Sequence, residues 1–260
     1  MNKTITGLIA LDFDGTSAVY EPQMAMHSGV MNVLAQLRDK GYGWVLNSDR
    51  YTDTLLEIAQ RLPVELRPDA VMSAQRFIHT RSNGSYEPLQ PWNESRMELH
   101  RDLWQDISPC FDVWQREIES NFTIRDCVVN DVVFAYMVPA EENESLRLLM
   151  SNYIRPWPQA QLSGNHEWSF ILHSDFSKAA LLKHYCVVLG ITTDKIIAVG
   201  DGFNDITMLD SGLTPQTGCP SDACPEVITA VRAGGGYVAG CGGPEGTIEV
   251  LRFYHGSTDD

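Results

Sequence analysis

The sequence predicts an α/β chain, a doubly wound parallel sheet interrupted by an inserted α+β domain. Three observations point there. Short apolar runs alternate with amphipathic stretches up to residue 73, as parallel strands joined by crossover helices require. Between about residues 84 and 172 the alternation lapses, and five of the six Trp residues (92, 104, 114, 157 and 168) fall in that stretch. From Lys178 the first pattern resumes. The expected organisation is a core from residues 1–83 and 173–260, with the insert at 84–172.

Taken in order, residues 6–11 read as a buried strand. Residues 31–40 read as a helix, with Val33, Leu34 and Leu37 on one side and Gly41 ending it. "YGWVLNS", 42–48, is a second strand, 51–62 a helix stopped by Pro63, and 70–73 a short third strand. Asn83-Gly84 sits between two short runs and suits a tight hairpin turn, so the boundary is placed there. The insert reads helix, strand, strand, helix, strand over roughly 97–106, 110–120, 126–138, 142–153 and 167–172. Beyond it come a helix at 178–189, a buried strand at 195–200 and the start of a helix at 205–210. Pro244 suits the first turn of a C-terminal helix.

At 260 residues, with 43% hydrophobic and 20% charged residues, the chain can bury an ordinary globular core. A formal charge of −15 and the lack of Lys/Arg runs argue against nucleic acid and anionic membranes as partners. They leave room for a small phosphorylated substrate, because a cation and one or two bases can invert the field inside a pocket. The six cysteines form no CxxC pair, and Cys219 and Cys224, though near in sequence, are expected to be thiols. The apolar run before Asp12 is too short for a signal-peptide core, so the expectation is a cytoplasmic protein, a monomer or small homo-oligomer.

The chemistry concentrates at strand ends. In "LDFDGT" Asp12 and Asp14 stand two apart, on the same side of an extended chain, where open α/β sheets bind ligands. "GDGFND" delivers Asp201 and Asp205 after a second apolar run. Two like charges about 5 Å apart repel by roughly 3 kcal/mol at an effective dielectric near 20, so the cluster implies a cation or raised pKa values. With oxygen donors only, the expected cation is Mg²⁺. Ser48, closing the second strand, offers a hydroxyl and nearby backbone N–H groups at a helix start as an anion seat. Lys178 opens a helix and supplies a positive charge, with Lys183 as the alternative.

DxDGT at 12–16, Ser-x-Arg at 48–50, Lys178 and GDGxND at 200–205 resemble, in order and character, the four motifs of the haloacid dehalogenase-like hydrolases. The insert's position is similar to that of the C2 cap of the Cof-type and sucrose-phosphatase-like branch. The resemblance implies a Rossmann-like core and a Mg²⁺-dependent phosphomonoesterase. Asp12 would be the nucleophile that forms an aspartyl-phosphate, and Asp14 the acid and then the base. Asp12, the backbone carbonyl of Asp14, and Asp201 would hold the metal, with Asp205 tuning its water shell. Ser48, Lys178 and Asn204 would bind phosphate. The residues themselves suggest the same division, since a metal-bound Asp12 stays ionised while Asp14, expected among anionic neighbours, is free to carry a proton.

Asp49 and Gln75-Arg76 depart from the branch's usual Thr-Gly-Arg and Asn-Gly. Asp49 and Arg50 beside the phosphate seat, Asn165 and His166 in a loop of the insert, and His173 at the return from it are candidates for substrate specificity, although turn chemistry also explains "SGNHE". A sugar phosphate is the expected substrate by family analogy. The alternatives are an intramolecular phosphosugar mutase, disfavoured by the short stretch after Asp14, and a non-catalytic phosphate-binding module.

Overall fold

The computed structural model describes residues 5–165 and 167–255. In chain order the elements begin with β1 (Gly7–Leu11), a small hairpin of β2 (Ala18–Val19) and β3 (Ala25–Met26), α1 (Ser28–Asp39), β4 (Tyr42–Ser48), α2 (Thr52–Arg61), β5 (Ala70–Ser73), β6 (Phe77–Ser82) and β7 (Ser85–Pro88). They continue with α3 (Trp92–Ile107), α4 (Phe111–Asn121), β8 (Asp126–Val129), β9 (Phe134–Met137), α5 (Ala140–Ile154), β10 (Ala160–Gly164) and β11 (Trp168–His173). Last come α6 (Lys178–Leu189), β12 (Ile196–Val199), β13 (Gln216–Cys219), α7 (Pro225–Ala233), β14 (Tyr237–Val238) and α8 (Gly243–His255).

The chain divides into two compact units, residues 1–90 with 177–260 and residues 91–176. In the first unit an eight-stranded sheet runs β14-β13-β12-β1-β4-β5-β6-β7 among the described residues. The six strands from β14 to β5 are parallel. From β1 the chain steps outward through β4 and β5, then returns after the insert to β12 on the other side of β1. The order therefore reverses between β1 and β12, the crevice where open α/β sheets bind ligands.

Both faces of this sheet are covered. Ile9 and Leu11 of β1 pack with Val30, Leu34, Ile248 and Leu251 of α1 and α8. The intervening Leu8 and Ala10 are equally buried. Asn47 alternates with Leu46 along β4, and its amide donates to the Lys178 carbonyl of α6 at 3.1 Å, which places α6 against the opposite face.

The units divide at 90/91 and 176/177, not at 83/84 and 172/173. The physical reason is the hairpin itself. Asn83 and Gly84 both take positive φ (49° and 86°), as a tight hairpin turn requires, and β6 pairs antiparallel with β5, so the hairpin extends the core sheet.

The second unit has a four-stranded antiparallel sheet, β10-β11-β9-β8, with helices whose core includes Leu103, Trp104, Trp114, Phe134 and Met150. Residues 110–120, expected as a strand, form helix α4, because Phe111, Trp114 and Ile118 recur at helical spacing and are the buried ones. Residues 126–138 split into β8 and β9, and β10 was not foreseen. Residues 205–210 form no α-helix: a 3₁₀ turn at Phe203–Asp205 is followed by turns. No helix among the described residues is long and apolar enough to cross a membrane, and the six cysteines are free.

Candidate active site

Every residue of the site described next lies in the first unit. Asp12 follows the last residue of β1, and its N–H donates to the Val199 carbonyl at 3.0 Å, prolonging the β1–β12 ladder by one bond. That bond fixes the nucleophile candidate beside the loop of Asp201 and Asp205. One carboxylate oxygen from each of Asp12, Asp201 and Asp205 lies within 4.8 Å of the others. Two segments nearly 190 residues apart thus supply one group of acids because their strands are neighbours in the sheet.

Lys178 holds this group together. Its ammonium is fully buried and donates to Asp12 Oδ1 at 2.7 Å and to Asp205 Oδ1 at 2.6 Å. Burial works against the charged form, but Asp12 and Asp205 outweigh it and hold the ammonium above its ordinary value. Lys183 is exposed. The second oxygen of Asp205 accepts the N–H groups of Asp201 (3.0 Å) and Gly202 (2.9 Å), drawing the loop into its 3₁₀ turn. The Thr16 hydroxyl donates to Asp201 Oδ1 at 2.6 Å, and the Ser17 hydroxyl to the Asp12 carbonyl at 2.5 Å.

One ammonium does not balance three carboxylates. Burial and the charge of Asp205 push Asp12 well above its ordinary value despite Lys178. Burial and Asp205 push Asp201 to about 7 despite the Thr16 hydrogen bond. A cluster of oxygen donors whose ionised forms are disfavoured fits a hard divalent cation, which would supply the missing charge.

Gly15 is required here on two counts. Its φ is +68°, and a Cβ at this position would lie 2.2 Å from Asp201 Oδ2. Gly15→Ala is expected to fold but to displace Asp201, lowering turnover about 100-fold, as checked by steady-state rates beside an unfolding curve.

Asp14 differs from expectation. Its carboxylate meets cationic and neutral donors, not anions: Arg50 grips it bidentately (Nε to Oδ2 2.7 Å, Nη2 to Oδ1 2.6 Å), and the Tyr20 hydroxyl donates to Oδ1 at 2.8 Å. The cause is the β1–β4 pairing, which brings the loop of Arg50 beside that of Asp14.

Ser48 is buried at the end of β4, and its hydroxyl accepts the Arg50 N–H at 3.3 Å. The helix start expected beside it falls later, at Thr52. Asn204 is buried and donates its amide to Asp49. Burial pushes Asp49 up to about 6; Lys178 opposes this and Asp205 adds to it, while Asn204 and Gln75 hydrogen-bond the carboxylate. Gln75 does so from a loop in which it and Ala74 both take positive φ (56° and 50°), the conformation that Asn-Gly would adopt more readily.

The remaining candidates belong to the second unit. Asn165 turns the β10–β11 hairpin: its side chain accepts the N–H groups of Glu167 (3.2 Å) and Trp168 (3.0 Å), and its carbonyl accepts from Asn143 and Arg147. His173 ends β11 with Nδ1 accepting the Asp175 N–H at 3.1 Å, and burial lowers its pKa. His166 lies outside the described residues. Tyr20 and Gln75 received no role from the sequence, because their partners are fixed by sheet order; Thr16 was visible within DxDGT, without its partner.

Known proteins resemble the chain in part of its sequence and in its fold. The family profile described as haloacid dehalogenase-like hydrolase matches residues 114–212, a stretch that includes Lys178 and GDGFND. That part of the chain is similar to the haloacid dehalogenase-like hydrolases. A 5-amino-6-(5-phospho-D-ribitylamino)uracil phosphatase of Bacillus subtilis is 20% identical over 254 residues, covering 95% of each chain. The sucrose-phosphatase of Synechocystis superposes with a TM-score of 0.67 at 15% identity, over 97% of this chain and 98% of that one. A subclass IIB sugar phosphatase of the superfamily superposes at 0.65 with 13% identity, over 96% and 99%. At such identities the solved structures establish the fold.

Proposed function

We propose that the protein is a Mg²⁺-dependent phosphomonoesterase that works through an aspartyl-phosphate on Asp12, with a sugar phosphate or similar small phosphorylated metabolite as substrate. The observation that carries this reading is the Asp12, Asp201 and Asp205 cluster within 4.8 Å, joined to one buried Lys178 at the switch point of the sheet. The names of the Bacillus subtilis and Synechocystis relatives, both phosphatases of small phosphate esters, favour the same substrate class.

Asp12, Asp201 and the Asp14 carbonyl would hold the ion, which supplies positive charge that keeps Asp12 ionised and polarises the phosphate oxygens. Lys178 aims the Asp12 carboxylate and offers its remaining proton to a phosphate oxygen. Ser48 and Asn204 orient the same group from the β4 and β12 ends. Attack by Asp12 on phosphorus expels the alcohol, protonated by Asp14, and Asp14 then takes a proton from the water that cleaves the acyl-phosphate.

Two measurements test this. Hydrolysis of a panel of sugar phosphates, nucleotides and small phosphoesters is expected with Mg²⁺ and lost with chelator; metal-independent turnover would contradict it. The second is thermal. Asp201 titrates at about 7 in the fold against an ordinary 3.8, so without cation stability falls as pH rises through that window. A cation binds the ionised form, so the rise in melting temperature on adding Mg²⁺ is expected to be larger at about pH 8 than near pH 5.

A further inference from the structure

Tyr20 stands just beyond β2, on the hairpin that follows Asp14, and is 51% exposed. A half-exposed phenol bonded to a part-exposed carboxylate adds little stability. Its consequence is geometric. Tyr20 and Arg50 Nη2 both donate to Oδ1 of Asp14, at 2.8 and 2.6 Å, whereas among the described residues Oδ2 receives only Arg50 Nε, at 2.7 Å. A carboxylate oxygen has two acceptor sites, so Oδ1 is full and Oδ2 keeps one open.

We propose that Tyr20 is a positioning residue for Asp14: by filling Oδ1 together with Arg50, it leaves Oδ2 as the oxygen that exchanges protons with substrate and water. The assignment rests on the phosphatase reading above. In the first step the Oδ2 proton passes to the bridging ester oxygen as its bond to phosphorus breaks and the bond from Asp12 forms. In the second, Oδ2 takes a proton from water as the water oxygen bonds phosphorus and the Asp12 bond breaks. Without the Tyr20 hydroxyl both oxygens have an open site, and the proton sits on the unproductive one for part of the time.

The test is Tyr20→Phe in the full chain, which keeps the ring and removes only the hydroxyl. The ratio kcat/KM reports events up to phosphoryl transfer to Asp12. para-Nitrophenolate leaves without a proton, whereas the alkoxide of glycerol phosphate needs one. The expected result is a fall in kcat/KM of about tenfold on glycerol phosphate and less than about twofold on para-nitrophenyl phosphate, with an unchanged melting curve. Equal falls on both esters, or none on either, would overturn the role of Tyr20 while leaving the phosphatase reading in place. Failure of the unsubstituted protein to hydrolyse these two esters and every member of the panel above would remove the reading and the role together.

Discussion

Asp12→Asn is expected to abolish turnover, by at least about 10⁴-fold, while leaving the fold intact. Asn occupies the same volume and cannot form an acyl-phosphate. The energetic side is equally specific. Asp12 is 5% exposed, and burial and Asp205 already disfavour its charge, so replacing it with a neutral amide relieves repulsion as well as removing a partner of Lys178. Without added cation the melting temperature is therefore expected not to fall. With Mg²⁺ the order reverses, because the unsubstituted protein gains a ligand that the variant binds poorly. Loss of activity with loss of folding would point instead to a structural role for this carboxylate.

Lys178→Met carries the second large effect. The side chain is among the largest fully buried ones, and it is the shared partner of Asp12 and Asp205. Removing one member of a buried ion cluster leaves charge uncompensated and costs about 3–5 kcal/mol. For a chain of this size that corresponds to a melting temperature lower by roughly 10 °C. The deficit should shrink as pH falls and Asp12, whose pKa burial and Asp205 already raise, takes up a proton, and adding Asp205→Asn should recover part of it. Turnover should be lost in both variants. Unfolding curves across pH, with rates on the same samples, separate the two consequences of the one substitution.

Much of the core was legible because its punctuation is local. The apolar run ending in Asp12 became β1, "YGWVLNS" became β4, and Gly41, at a positive φ of 96°, follows the end of α1. The misreadings have local causes as well. Residues 111–118 contain Phe, Val, Trp and Ile, which favour strands, but the helical spacing of Phe111, Trp114 and Ile118 decides the matter once a sheet offers one face to pack against. Gln161 and Leu162 of β10 are only half-buried on an edge strand, so their signal is weak. Asn83-Gly84 announces a hairpin but not which sheet the hairpin joins.

The site divides in the same way. The residue types for a cation and a phosphate stood in four motifs, and spacing along strands placed them at carboxyl ends. Their pairings did not follow from spacing. Lys178 bridges Asp12 and Asp205 because α6 packs on the face of β4 that carries Asn47. Arg50 meets Asp14, and Asn204 meets Asp49, only because β4, β1 and β12 are neighbours in one sheet. That order is a property of the whole chain.

That an Asp12 carboxylate oxygen bonds phosphorus is the step on which all the others depend. It is tested most directly by acid-quenching a reaction with Mg²⁺ and substrate and mapping phosphoryl groups on the digested protein by mass spectrometry. The expected result is one phosphoryl group on Asp12, absent with chelator and absent in Asp12→Asn. Sustained turnover with no adduct there, or an adduct on another residue, would contradict it.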